Sequence, residues 1–283
     1  MKTKAKWINL AVKPHFSWPD TFVEIPFGTC KIVLQPRREN SSAAVSIFSE
    51  EGLTFEKGGE LLYKFLSRLA WSKNGGIVEN FICGSNHPTQ PGPVGQGTYG
   101  VSGFSQVQPE DYLYLPIPKS DKAALALGLF REAMSLNSVP YSFLGYFKVI
   151  NICFESGPEQ KAWINKNLSS IKHEPELKRL KHLQKNESDI GAYLYHQGRC
   201  AVAHAFDKHI ANPDSYIDKR RLEDDIQLMK VFAVNCIEKV LGVKSVSSFW
   251  AYLKTKPGET EELLVKHVND SGLVSYIPYK NRA

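Results

Sequence analysis

The hydrophobic pattern of the chain changes its period at about Pro116 and Pro118, and this change constrains the fold more than any other feature. Before these prolines, apolar residues come in short runs bounded by turn residues, which is typical of β-strands. After them, apolar residues recur every three or four positions, as on one face of an α-helix. The sequence therefore predicts an α+β fold: a mixed domain over residues 1–118, followed by an all-α domain over residues 119–283.

The N-terminal domain contains four apolar runs that predict strands, at 22–25, 30–35, 44–48 and 76–83. A helix is predicted over 60–71, because Leu61, Phe65 and Leu69 recur every four residues. The segment 84–100 is rich in glycine and proline, and no Lys-Ser/Thr pair follows its glycines as a phosphate-binding loop would require. We expect that segment to be a surface loop.

Helix start signals divide the second domain into its elements. Capping residues precede several apolar stripes, and Ser156 to Glu159 has the form of a capping box. The remaining expected starts are Ser120 or Asp121, Pro140, Ser188 or Asp189, and Asp218, with shorter helices at 248–254 and 259–268. The basic segment 172–185 has leucines spaced by three, and its simplest interpretation is a helix with a solvated outer face.

Composition excludes several classes of protein. The net charge of +6 permits binding to a polyanion but does not demand it. The five cysteines form no CxxC pair, so we expect reduced thiols, no metal site and no disulfide framework. Neither a signal peptide nor a membrane-spanning run is recognisable, and no cofactor motif is present. These observations predict a cytoplasmic protein without a cofactor.

Arg199 and His204 are the residues best suited to chemistry. Cleavage of a phosphodiester without a metal needs a group that transfers a proton and a cation that stabilises the phosphate in the transition state. An imidazole exchanges protons near neutral pH, and a guanidinium can donate two parallel hydrogen bonds to phosphate oxygens. On a straight helix, however, residues five apart point roughly 140° away from each other. The two can share a site only if the helix ends or distorts near Ala203.

The motif Arg199, four intervening residues and His204, near the end of a helix, resembles that of the HEPN superfamily. This resemblance implies a four-helix bundle, here with extra C-terminal helices, in which two subunits pair and their motifs meet in a shared cleft. It further implies catalytic roles for Arg199 and His204 in a homodimeric endoribonuclease acting on single-stranded RNA, a toxin of stress response or phage defence. Cys200 follows the arginine, where many nucleolytic relatives have a polar residue.

A second resemblance covers the whole chain. The segments 65–71, 143–147 and 198–205, in this order, are similar to proteins of the methylamine utilization protein MauJ family. This resemblance implies no established chemistry for these residues. A role in amine metabolism is what the family name suggests.

Three residues near the motif are candidates for substrate binding: Tyr195, His196 and Lys208. The aromatic side chains could stack on bases, and the lysine could contact phosphate. The alternative is structural, with Tyr195 and His196 filling an interface and Arg199 paired to Asp207, Asp214, Asp218 or Glu223. In that case the chain would be a non-catalytic module that dimerises and binds RNA or a protein partner, such as one encoded in the same operon.

Overall fold

The computed structural model describes residues 6–38, 41–49, 53–89, 114–204, 210–212, 215–255 and 277–278. Its fold is mixed α/β, with an antiparallel sheet in the N-terminal part and helices in the C-terminal part, as the sequence predicts. The chain divides into two compact units. The sheet unit consists of the described residues up to Ile117 and from Ser245 onward, and the helical unit is Pro118–Lys244.

The described residues from Ser245 onward group with the sheet, whereas the sequence predicts a second domain running from 119 to 283. A helix after the boundary places Phe249 against Tyr114, with ring centroids 4.4 Å apart in a stacked arrangement. Further along, Ile277–Pro278 pairs with the strand Val23–Phe27. Both contacts join residues that are far apart in the sequence. Helical periodicity predicts a helix but not the element against which the helix packs. The predicted helix at 259–268 lies outside the described residues.

Six strands of the described chain form one sheet in the order β5-β1-β4-β3-β2-β6, with every pair antiparallel. Their bounds are β1 Trp7–Pro14, β2 Val23–Phe27, β3 Cys30–Gln35, β4 Ala43–Phe48, β5 Ile77–Ser85 and β6 Ile277–Pro278. The four predicted strands correspond to β2 through β5. Gly28 makes the tight β2–β3 turn possible, because its φ of +63° is one that other residues rarely adopt.

One face of the sheet packs against helix α1, Phe55–Lys73. The Thr54 hydroxyl caps this helix by accepting a hydrogen bond from the Lys57 amide. Phe65 is fully buried, and its ring meets that of Phe27 edge-on with centroids 5.5 Å apart. The packed face comes from alternate strand residues such as Ile8 and Leu10, so the core depends on the two-residue period of the strands.

The opposite face of the sheet has buried polar residues at its centre. Asn9, Gln35 and Ser46 are at most 1% exposed. The Ser46 hydroxyl donates to Asn9 Oδ1 over 2.7 Å, and Gln35 Nε2 donates to the Ser46 hydroxyl. Asn9 Oδ1 also accepts from the Thr89 amide at 3.0 Å. These groups satisfy each other, which is the condition for burying them without a large loss of stability.

Among the described residues, the α-helices that follow β5 are α2 Asp121–Ser135, α3 Val139–Cys153, α4 Gly157–Lys166, α5 Glu174–Asn186, α6 Ile190–Tyr193, α7 Ala201–Ala203, α8 Tyr216–Asn235 and α9 Val246–Lys254. Two π-helical segments interrupt this pattern: Leu194–Cys200 between α6 and α7, and Cys236–Val240 after α8. The predicted capping box is confirmed. The Ser156 hydroxyl accepts from the Glu159 amide, and the Glu159 carboxylate accepts from the Ser156 amide.

The described helices include none with both the length and the apolar character needed to cross a membrane. In the same ranges, no three side chains of His, Cys, Asp or Glu are grouped in a way that could hold a metal ion.

We expect Phe65→Ala to lower the free energy of unfolding by about 3–5 kcal/mol, because the change removes a buried ring and leaves a cavity under the sheet. Glu60→Ala, at an exposed position of the same helix, is the matched control and should change stability by no more than about 0.5 kcal/mol. Urea denaturation followed by circular dichroism measures both. Equal effects of the two substitutions would contradict this account of the core.

Candidate active site

The segment that carries the Arg199 and His204 motif changes its helical geometry along its length. The Asp189 carboxylate caps α6 by accepting from the Ala192 amide at 2.8 Å. After Tyr193 the chain is π-helical through Cys200, and α7 then ends at Ala203. His204 has extended backbone angles, φ −126° and ψ 128°. The segment therefore both distorts and ends, as it must if the two motif residues are to face one another.

Gly198 allows this segment to pack closely against α3. A Cβ atom at this position would lie 2.4 Å from Cζ of Phe143, a distance that real Cβ atoms essentially never show. Gly157 has the same role at the start of α4, where a Cβ would lie 2.7 Å from the Tyr195 hydroxyl. The absence of a side chain at both positions therefore lets the π-helical segment pack closely against α3 and against the start of α4.

The Arg199 and His204 side chains converge. Arg199 Nη1 lies 3.2 Å from His204 Nε2, and both residues are partly exposed. A guanidinium has donors and no acceptor, so this hydrogen bond requires Nε2 of His204 to accept it. An imidazole nitrogen that accepts a hydrogen bond is also a group that can take a proton from a substrate hydroxyl.

The other contacts of Arg199 leave part of its hydrogen-bonding capacity unused. Its guanidinium lies over the Tyr195 ring, 5.5 Å from the centroid, and Nη1 is 3.6 Å from the Cys200 sulfur. Arg199 Nε is buried and has no hydrogen-bond partner among the described residues. Within those residues, no salt bridge involves Arg199. Asp218 instead lies 3.8 Å from Arg221, and Glu223 lies 3.8 Å from Arg220.

The remaining predicted site residues differ in their surroundings. Tyr195 is partly buried, and its ring meets the Phe147 ring edge-on. The Lys161 ammonium and the Arg199 guanidinium each lie 5.5 Å from the centroid of the Tyr195 ring. His196 is exposed and meets the Tyr195 ring edge-on. The structure thus brings Tyr195, Arg199 and His204 together, with His196 beside them. Lys208 lies outside the described residues, as do Asp207 and Asp214.

A buried polar network behind the site was not predicted. Asp225 on α8 is 1% exposed and accepts two hydrogen bonds, one from Arg179 Nε at 2.8 Å and one from the Tyr193 hydroxyl at 2.7 Å. Arg179 Nη2 also donates to the Tyr193 oxygen over 3.3 Å. The network connects α5 and α8 to the residue directly before the π-helical segment. The sequence did carry a signal: Asp225 falls on the apolar stripe of α8, between Leu222 and Met229.

Burial and charge shift the pKa values of this network. Burial raises the pKa of Asp225, against the opposing effect of Arg179. Burial would lower the pKa of Arg179, but the hydrogen bond and charge of Asp225 raise it overall. Burial, and then the negative charge of Asp225, raises the pKa of Tyr193 to about 12.

Arg221 holds the π-helical segment from the other side. Its Nη1 donates to the backbone carbonyl of Gln197 over 2.6 Å. A π-helical segment departs from the regular hydrogen bonding of the α-helix, so a side-chain donor to its backbone is stabilising. Arg221 and the Asp225 network both lie on α8, one turn apart, so α8 positions the segment that bears Arg199.

Comparison with known proteins connects this helical unit to one family. Residues 126–238 match the sequence model of the family described as Methylamine utilization protein MauJ. The matched residues include Arg199, His204 and the Asp225 network. No curated protein and no solved structure matches the chain. The match supports the resemblance of the helical unit to MauJ proteins.

We expect Tyr193→Phe to lower the free energy of unfolding by about 1–3 kcal/mol, because one buried oxygen of Asp225 loses its donor. The raised pKa of Tyr193 means that the folded protein keeps the phenolic proton after the unfolded chain has lost it. Its contribution is complete below about pH 10 and is lost as the pH rises toward 12. The variant should therefore lose stability less steeply than the wild type in that interval.

The matched control is Tyr141→Phe, at a position that is 62% exposed. Chemical denaturation of both variants at several alkaline pH values gives the comparison. Identical pH dependence of Tyr193→Phe and the wild type would show that the phenol does not titrate as this network requires.

Proposed function

We propose that the protein is a metal-independent endoribonuclease that cleaves single-stranded RNA through Arg199 and His204. The observation that carries the proposal is their contact: guanidinium and imidazole nitrogens 3.2 Å apart on a partly exposed surface, although five residues on a straight helix would separate them. We infer that the helical unit is a HEPN-like bundle, on the strength of the motif and its place at a helix end.

The two side chains can divide the chemistry between them. His204 Nε2 accepts the proton of the ribose 2′-OH as the 2′ oxygen bonds to phosphorus and the bond to the 5′ oxygen breaks. The imidazolium so formed can return that proton to the leaving 5′ oxygen. Arg199 turns from His204 to the non-bridging phosphate oxygens, to which a guanidinium can donate two parallel hydrogen bonds. The products are a 2′,3′-cyclic phosphate and a 5′-hydroxyl.

A row of lysines on α5 fits the same substrate. Lys178, Lys181 and Lys185 are exposed and lie three and four residues apart, so they share one side of the helix over about 10 Å. In the described part of the chain none of the three forms a salt bridge. Arg179 on the same helix faces inward and is hydrogen-bonded to Tyr193, close to the π-helical segment. We propose that these lysines hold the RNA backbone.

Two copies of the chain complete the proposed enzyme. The HEPN resemblance implies that the motifs of two subunits face a common cleft, and a strand held there would meet both Arg199 and His204 pairs. Light scattering of the purified protein measures whether it is a dimer in solution.

We expect the purified chain to cut single-stranded RNA in the presence of EDTA and to leave 2′,3′-cyclic phosphate ends. DNA of the same sequence should remain intact because it has no 2′-OH. Arg199→Ala and His204→Ala should each lower the cleavage rate by about 10²–10⁴-fold. Gel electrophoresis with end-group analysis measures both rate and products.

Arg220→Ala and His15→Ala are the matched controls, since they remove the same side-chain types at exposed positions outside the motif. Both should cleave as the wild type does, and circular dichroism should show all four variants folded. Cleavage that survives Arg199→Ala and His204→Ala alike would refute the assignment.

Replacing Lys178, Lys181 and Lys185 together by Gln should weaken RNA binding and reduce the slope of log affinity against log salt by about 2, for three lost phosphate contacts on a single strand. The control triple variant replaces Lys13, Lys57 and Lys64, which are exposed in the sheet unit, and has the same net charge. Fluorescence anisotropy at several salt concentrations compares them. An equal loss in both would indicate that overall charge, and not α5, governs binding.

A second candidate is a non-catalytic module that binds RNA or a protein partner through the same surface. It is favoured by Cys200, a weak hydrogen-bonding residue directly after Arg199, whose sulfur contacts the guanidinium. Retention of RNA without cleavage would select this function. The family match favours a third role, as an accessory protein of methylamine utilization, and growth of a deletion strain on methylamine would test it.

A further inference from the structure

Two cysteines meet inside the helical unit. Cys153 is the last residue of α3, and Cys236 is the first residue of the second π-helical segment. Their sulfur atoms are 2.9 Å apart, with Cys236 donating to Cys153. Both are free thiols in the structure. A disulfide bond is about 2.05 Å long, so an approach of less than 1 Å would join them.

The two thiols differ in their access to solvent. Cys236 is fully buried, whereas Cys153 is partly exposed at the end of its helix. A small reagent from solvent therefore reaches Cys153 first and finds the second thiol directly behind it. The other three cysteines have different neighbours: Cys30 lies beside Thr29, Cys83 is near Asn9, and Cys200 contacts Arg199.

We propose that Cys153 and Cys236 form an oxidation site that reacts with hydrogen peroxide and closes to an intramolecular disulfide. This inference is independent of the proposed ribonuclease function.

The reaction balances in two steps. The Cys153 thiolate attacks one oxygen of the peroxide, the O–O bond breaks, and the products are a sulfenic acid at Cys153 and hydroxide, which takes up a proton to become water. The Cys236 sulfur then attacks the sulfenic sulfur, the S–S bond forms, and the departing hydroxyl takes the Cys236 proton and leaves as a second water. One peroxide is reduced to two waters, and two thiols are oxidised to one disulfide.

The environment of the pair fits these two roles. The hydrogen bond from Cys236, and to a smaller extent the charge of Lys122, lowers the pKa of Cys153 in spite of its partial burial. The hydrogen bond to Cys153 and its own burial raise the pKa of Cys236. The accessible sulfur is thus the one favoured as thiolate, and thiolates are the nucleophiles in this chemistry.

The test is a thiol count on the full chain after brief treatment with hydrogen peroxide, followed by alkylation in denaturant and mass spectrometry. The reduced chain should take up five alkyl groups, one for each cysteine, and the oxidised chain three, because the pair no longer reacts. Peptide mapping should find 153 linked to 236, and dithiothreitol should restore five. Five alkyl groups after peroxide, or a Cys153 sulfinic acid without the link, would overturn the proposal.

Variants identify the order of events. Cys236→Ser should lose the cross-link and accumulate a sulfenic acid at Cys153 that dimedone traps. Cys153→Ser should leave the buried Cys236 unmodified at the same peroxide concentration. Cys30→Ser is the matched control and should still form the bond, its alkyl count falling from four to two. Should the variants fold poorly, peptide mapping of the wild type alone decides the question.

Discussion

The contact between Gly198 and the Phe143 ring is the constraint on which the candidate site depends. With no side chain at residue 198, the π-helical segment lies directly against α3, and Arg199 follows at once. Any larger residue would push the segment away or rotate it. Rotation of the segment would change the distance between Arg199 and His204, because Arg199 lies in the π-helical segment whereas His204 follows the helix end with extended backbone angles. The geometry of the candidate site therefore depends on how the π-helical segment packs against α3.

Local signals in the sequence predicted much of the fold. The capping box at Ser156, the proline of α3 and the Asp189 cap act over three or four residues, and helices begin where they indicate. Strand β1 was missed even though Ile8, Leu10 and Val12 alternate as strand residues do, since a single alternating run is a weak signal beside turn-bounded ones. The grouping of Phe249 with Tyr114 depends on contacts across the chain, which periodicity does not encode.

The site itself was predictable only in part. The sequence indicates Arg199 and His204 as candidates, and helix geometry requires the helix to end or distort between them if they are to share a site. The π-helical segment that contributes to this distortion could not be predicted from the sequence. The basic residues of α5 look alike in the sequence. In the structure, however, Arg179 points inward to Asp225, whereas its neighbour Lys178 is exposed. Neighbouring residues on a helix differ by about 100°, so the orientation of a charge run is set by what packs against it. That packing came from α8, more than forty residues later.

Both π-helical segments lie against α3, and each carries a residue with its own chemistry: Arg199 in the first and Cys236 at the start of the second. The extra width of a π-turn shifts side chains out of the register that an α-helix would impose, and such turns are frequent at functional sites. Helix α3 provides the fixed surface in both cases, with Phe143 against Gly198 and Cys153 against Cys236. These contacts are ten residues apart on one helix, a separation of about 15 Å. Helix α3 therefore contacts two irregular neighbours, one at the glycine before Arg199 and one at Cys236, and the positions of both proposed sites depend on its packing.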